Sequence, residues 1–262
     1  MTKEIYGALQ FREIFHLEFL RQLARRMKQG QYVLKGGVNL RLFFRSFRYS
    51  EDMDLDISGP GVDGLKETVM RILQSPSFRE TLAPFGIEGI VPPDVARAKQ
   101  TLTNQRFKIH LVTRAGEDLF TKVEFSRRGF SGRAIVQAVP DIILREYKLP
   151  PLLVSHYGVR SAVKQKVAAV AGWPAVQARD VFDLYILSPQ WKSSPEENNG
   201  LSESELTKAR QNIFAVGFEQ FRDTVIPYLS FEEQSVYDRA SAWDEVRLKA
   251  DNFLQELKAE HV

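Results

Sequence analysis

From Asp52 to Ile57 the chain alternates without a break between carboxylates and hydrophobes: Asp52, Met53, Asp54, Leu55, Asp56, Ile57. A period of two is the repeat of a β-strand, so Met53, Leu55 and Ile57 share one face and the three acids share the other. One side of this strand belongs to a core and the other carries chemistry. Carboxylates at i and i+2 project close together, where they can share divalent cations; left unpaired, the arrangement is costly. Asp52 with Asp54 is one such pair and Asp54 with Asp56 is a second.

The neighbouring segments place this strand in a mixed fold. Phe15, Leu17, Phe19, Leu20, Leu23 and Met27 recur at helical spacing and predict an amphipathic helix over 11–27, with Arg21, Arg25 and Arg26 around it. A short strand, 31–34, runs into Gly36 and Gly37, and 38–44 reads as a brief helix. Glycines where a strand meets a helix let backbone N–H groups approach phosphate oxygens that a Cβ would block. Ser58, Gly59, Pro60 and Gly61 end the acidic strand, and helical periodicity resumes over 65–73. Further strands are expected at 87–91, 106–112 and 119–126. In the last of these Val123 and Phe125 point to the core, which leaves Glu124, with Lys122 and Ser126, on the opposite face as a third acid. After the proline-bearing stretch 148–153 the pattern turns helical. Val159, Val163, Val167 and Val170 form one stripe ended by Gly172, and helices are expected at 181–187, 203–216, 219–228 and 242–257. A polar run at 192–204 reads as a loop. The expected class is α+β, a mixed sheet with flanking helices over 1–150 followed by a helical lobe over 151–262.

Composition narrows the chemistry. There are no cysteines, which excludes disulfides, thiolate zinc sites and cysteine nucleophiles, so any metal must be held by oxygen or histidine. His16, His110, His156 and His261 lack metal-ligand spacing and receive no role. With 44% hydrophobic residues the 262-residue chain can fill one large core or two modest ones. A net charge of +3 permits a nucleic-acid partner without requiring one. No run is long and apolar enough for a membrane span, and Met1-Thr2-Lys3-Glu4 does not open a signal peptide, so a cytoplasmic protein with no membrane partner is expected.

Several segments carry a resemblance to a known family. Val33-Leu34-Lys35-Gly36-Gly37-Val38-Asn39-Leu40-Arg41, Arg48-Tyr49-Ser50-Glu51-Asp52-Met53-Asp54-Leu55-Asp56 and Lys122-Val123-Glu124-Phe125-Ser126 resemble the opening, acidic and third-carboxylate motifs of the nucleotidyltransferase toxins of the AbiEii and AbiGii type, which include the mycobacterial MenT toxins. Gln165-Lys166-Val167-Ala168-Ala169 and Arg179-Asp180-Val181-Phe182-Asp183-Leu184 are similar to that family's lysine and aspartate motifs. The resemblance covers about residues 10–188.

The resemblance implies a nucleotidyltransferase-fold sheet domain and a helical domain that completes the active-site cleft. It implies an Mg2+-dependent (or Mn2+-dependent) enzyme that moves a nucleoside monophosphate from an NTP to RNA, typically the 3′ end of tRNA. The enzyme would be the toxin of a toxin–antitoxin or phage-defence system, with a cognate antitoxin. Carried over residue by residue, Asp52, Asp54 and Glu124 would hold the metal, Lys166 would neutralise the phosphates and Asp180 would position the acceptor. Gly36, Gly37, Arg48, Ser50 and Lys166 are the candidate nucleotide-binding residues. Asp56 could exchange roles with Asp54, and Asp183 with Asp180. Arg41, Arg45 and Arg48 could bind phosphate or serve as structural counter-ions. A small-molecule or protein-hydroxyl acceptor, or a catalytically silent nucleotide-binding protein, would use the same acids.

Overall fold

The computed structural model describes residues 6–94, 100–172, 175–191 and 201–259; Trp173, His261 and the polar run as far as residue 200 lie outside them. The chain divides into two compact units, one made of Met1–Leu42 and Tyr49–His156, the other of Phe43–Arg48 and Tyr157–Val262.

The first unit contains helix α1 (Ala8–Arg26), strand β1 (Tyr32–Lys35), helix α2 (Gly36–Phe43), strand β2 (Met53–Ile57), helices α3 (Val62–Leu73) and α4 (Pro76–Leu82), strands β3 (Ile87–Val91), β4 (Asn104–Thr113), β5 (Asp118–Ser126) and β6 (Ala134–Ala138), helix α5 (Asp141–Glu146) and strand β7 (Leu153–Tyr157). The strands form a seven-stranded sheet in the order β3-β4-β5-β2-β1-β7-β6. It is mixed: β2 is antiparallel to β1 and parallel to β5, β5 is antiparallel to β4, and β7 is parallel to β1. Met53, Leu55, Phe107, Ile109, Leu111, Val123 and Phe125 are buried on the covered face, against which α1 packs from β5. Each such side chain, fully withdrawn from water, contributes about 1.5–3 kcal/mol.

Two expectations for this unit need correction. Helix α1 is not amphipathic in the ordinary sense, because Glu13, His16, Glu18 and Gln22 are buried along with its hydrophobes. Each has a partner, Gln22 Oε1 accepting from Arg26 at 2.6 Å. Glu13 accepts from Arg41 (Oε1, 2.7 Å) and from the Tyr147 hydroxyl (Oε2, 2.5 Å), Glu18 accepts from Arg21 at 3.0 Å, and His16 Nε2 lies 2.9 Å from Thr121 Oγ1. The chain after Pro151 does not turn helical at once but first forms β7, whose Leu34↔His156 register joins it to β1. Its buried Ser155 and His156 masked the strand in the sequence, since polar residues there read as surface.

The second unit is helical. It comprises α6 (Val159–Gly172), α7 (Ala178–Trp191), α8 (Glu203–Ile213), α9 (Phe218–Thr224), α10 (Phe231–Tyr237) and α11 (Ala240–Ala259). Val163, Val167 and Val170 are buried as the stripe requires, and α6 packs against α7 and α8. The Trp243 ring stacks on Phe221 with centroids 4.3 Å apart, and its Nε1 donates to the Val216 carbonyl at 2.9 Å. The 43–48 segment is anchored here: Phe47 stacks on Tyr237 and meets Phe182 edge-on, with centroids 5.3 and 5.4 Å away.

Candidate active site

The register of the first unit lays out the acidic face row by row. Asp54 pairs with Lys35 of β1 on one side and with Glu124 of β5 on the other, and Glu124 in turn pairs with Arg106 of β4. The neighbouring row contains Asp52, Lys122 and Lys108, because Met53 pairs with Val123 and Lys108 with Lys122. All of these side chains point away from the hydrophobic face by strand alternation.

The tight passage from β1 to α2 makes room for Asp54. Gly36 has φ +67°, and a Cβ built on it would sit 2.8 Å from Asp54 Oδ2. Gly37 follows in the first turn of α2. The Ser50 hydroxyl donates to the main-chain oxygen of Asp52 at 2.8 Å, pinning the approach to β2.

The charges are balanced by named neighbours. The Lys122 ammonium lies 2.9 Å from Asp52 Oδ2 and 3.8 Å from Glu124 Oε2. Glu124 also accepts from Asn104 at 2.6 Å and from Arg106 at 2.8 Å. Burial works against its charged form, but these hydrogen bonds and the Arg106 and Lys122 charges hold it below the usual carboxylate range. Asp54 behaves oppositely. Burial pushes its carboxyl up, the nearby Glu124 and Asp52 charges add to this, and Lys35 and Lys122 offset only part. The deeper Asp56 is 2% exposed and takes the Lys35 ammonium at 2.5 Å as its counter-ion.

Asp54 and Glu124 therefore stand side by side, with Asp52 in the next row. Among the described residues no group of three or more His, Cys, Asp or Glu side chains is disposed to hold a metal ion. The reason is visible: Lys122 sits between Asp52 and Glu124, and Asn104 and Arg106 draw the Glu124 carboxylate their way.

Lys166, Asp180, Arg48 and Asp183 form a separate cluster in the second unit. Lys166 Nζ is 2.7 Å from both Asp180 Oδ1 and Asp183 Oδ2, and the Arg48 guanidinium donates to both Asp183 oxygens at 2.9 and 3.0 Å. The Asp183 side chain has no solvent exposure. Burial opposes charge at both Lys166 and Asp183, yet each is held in its charged form by the other: Asp183 and Asp180 raise Lys166, and Arg48 and Lys166 lower Asp183. A surface lysine reaching water is thus not what Lys166 is. Arg48, considered as a phosphate ligand, has its guanidinium forked onto Asp183, and Arg41 pairs with Glu13 beneath the Tyr49 ring, 4.1 Å from its centroid. Both act as counter-ions.

Sequence reasoning undervalued Asp183 and gave no role to Lys35, Arg106 or Asn104. Lys122 was placed on the acidic face, but its bridge was invisible. Only the cross-strand register, which no local spacing encodes, brings these residues to the acids.

The sheet with its acidic β2 and the helical unit after it define a nucleotidyltransferase-type fold, and solved structures share it. Among them are JHP933 from Helicobacter pylori (TM-score 0.56, 17% identity, covering 97% of this chain and 94% of that one) and MenT4, a nucleotidyltransferase toxin from Mycobacterium tuberculosis H37Rv (TM-score 0.56, 18% identity, covering 97% and 86%). No curated protein sequence matches the chain. The family model described as nucleotidyl transferase AbiEii toxin, type IV TA system, matches residues 18–257, and the chain belongs to that family. No helix among the described residues is long and apolar enough to cross a membrane.

Proposed function

We propose that this nucleotidyltransferase toxin transfers a nucleoside monophosphate from an NTP to the terminal hydroxyl of an RNA, the 3′ end of tRNA being the favoured acceptor, and that a cognate antitoxin restrains it. The observation that carries the reading is the acidic face at Gly36: Asp54 on β2 with Glu124 directly beside it on β5, and Asp52 at the entry to β2. An all-carboxylate donor set suits Mg2+ or Mn2+, which binds through one or two carboxylates with substrate phosphates filling the remaining positions. The Lys122 ammonium between Asp52 and Glu124 marks where this face requires positive charge. Asp52, Asp54 and Glu124 would be the protein donors. When bound, the ion would supply charge neutralisation at phosphorus and a lowered pKa for the attacking hydroxyl.

The remaining roles fall to the chain itself. Gly36 and Gly37 open the backbone to the triphosphate, which a side chain at Gly36 would obstruct while displacing Asp54. Lys166, kept protonated by Asp183 and Asp180, carries the charge assigned to neutralising phosphate, and Asp180 the positioning of the acceptor. The experiment is incubation of the purified protein with total RNA, Mg2+ and each of the four labelled NTPs in turn. Label is expected in the tRNA fraction with at least one NTP and is expected to vanish with Asp52→Ala. No transfer to RNA from any NTP, or equal transfer by Asp52→Ala, would overturn the reading.

A further inference from the structure

The acidic face does not end at Asp52. One row beyond the Asp52, Lys122 and Lys108 row, β4 and β5 present His110 opposite Phe120, with Val91 of β3 next to His110. Phe120 is 59% exposed and Val91 49% exposed. The His110 ring lies parallel to Phe120 with centroids 4.8 Å apart and an interplanar angle of 24°, and Asp118 holds His110 Nε2 at 2.6 Å. A rigid aromatic step thus stands in water on the same sheet face as the acids. Successive rows on one face are about 7 Å apart along the strand, so the step begins about 7 Å beyond the Asp52 row.

A large apolar side chain exposed on a strand needs a reason, and Phe120 stands on the same face as Lys122 and Lys108. Lys108 is exposed and has no hydrogen-bond or ion-pair partner among the described residues. It faces Lys122 directly across the ladder, and because Asp52 and Glu124 already balance Lys122, the Lys108 charge is the one left to an anion from outside. Aromatic faces beside free cations form the surface on which a single nucleic-acid strand is held, with bases stacked and phosphates neutralised.

Resting on the reading of an RNA acceptor, we propose that the open face of β4 and β5 is the track of the acceptor strand, with a base on the Phe120–His110 step and a backbone phosphate on Lys108. The free end then points along the face toward Asp52 and Asp54. Stacking tolerates any base, so this track selects a single-stranded end rather than a sequence.

The test is fluorescence anisotropy of a short, labelled single-stranded RNA with a free 3′ end, titrated with full-length protein at several salt concentrations. Phe120→Ala is expected to weaken binding about tenfold and Phe120→Trp to retain it. Lys108→Ala is expected to reduce the dependence of log affinity on log salt by about one phosphate. NTP binding, followed separately by calorimetry, should stay at the wild-type value in all three variants. Both side chains are solvent-facing, and thermal melting checks that the variants fold. If wild type binds RNA and Phe120→Ala and Lys108→Ala bind it equally well, the track is wrong and the acceptor reading stands. If wild type binds no RNA, the acceptor reading is wrong and the track falls with it.

Discussion

Asp54 Oδ2 occupies the space a side chain on Gly36 would need: a methyl group there would lie 2.8 Å from it. The contact ties the backbone of the β1–α2 junction to the carboxylate at the centre of the acidic row. Gly36→Ala meets two obstacles at once: its φ of +67° is left-handed and disfavours any Cβ, and the Asp54 carboxylate must rotate out of the way. We expect a loss of about 1–2 kcal/mol of stability from the backbone alone. Nucleotide transfer should fall further than stability does. Urea denaturation and transfer assays on the same preparation check both.

Replacing Asp54 itself should separate stability from function. Burial first, then the Glu124 and Asp52 charges, raise its carboxyl above the ordinary value of 3.8. A carboxyl whose folded-state pKa is raised favours the folded state in acid and opposes it once pH climbs through that raised value. Asp54→Asn should therefore be at least as stable as wild type near neutrality, and the difference should shrink as pH falls toward 3.8. Transfer activity should drop by about a hundredfold or more. Urea midpoints across pH, with activity at neutral pH, test this.

Asp183 should behave in the opposite sense. Burial opposes its charge, but Arg48 and Lys166 hold its carboxyl below 3.8. Its contribution is present above the ordinary value and is lost as pH falls through the lower folded-state value. Asp183→Asn would leave two cations facing a neutral amide, at a cost of about 3–5 kcal/mol. Asp180→Asn removes one contact from Lys166 while Asp183 remains, and should cost about 1 kcal/mol. Chemical denaturation ranks the two variants; equal costs would refute the buried-hub role of Asp183.

Tyr147→Phe is the control at a residue with no part in the proposed chemistry. Its hydroxyl donates to Glu13 Oε2 at 2.5 Å, while Arg41 keeps Glu13 paired in its absence. Loss of this charge-assisted hydrogen bond should cost about 1.5–3 kcal/mol. Turnover at a temperature where both proteins are folded should be unchanged.

The acidic strand, read from Asp52 and found over Met53–Ile57, and the placing of Glu124 on β5 beside it were legible because period-two alternation is a local signal. The valine stripe of α6 was legible for the same reason at helical period. Strand β7 was not, since His156 and Ser155 are buried polar residues whose position depends on a partner strand far upstream. Nor was the 43–48 segment, which joins the helical unit through Phe47 and Arg48, both contacts made with residues over a hundred positions away. Helix α1 misled because Arg41 and Tyr147, which satisfy its buried Glu13, are remote in sequence. Long-range pairing decided each of these.

The central claim is that a divalent ion and a nucleoside triphosphate meet at Asp52 and Asp54 beside Gly36. It is tested most directly by a crystal grown with Mn2+ and a non-hydrolysable NTP, with anomalous scattering used to locate the metal. The account predicts a manganese peak coordinated by the Asp52 and Asp54 carboxylates, with phosphate oxygens completing its shell. A nucleotide bound elsewhere on the chain, with no metal on either aspartate, would contradict it.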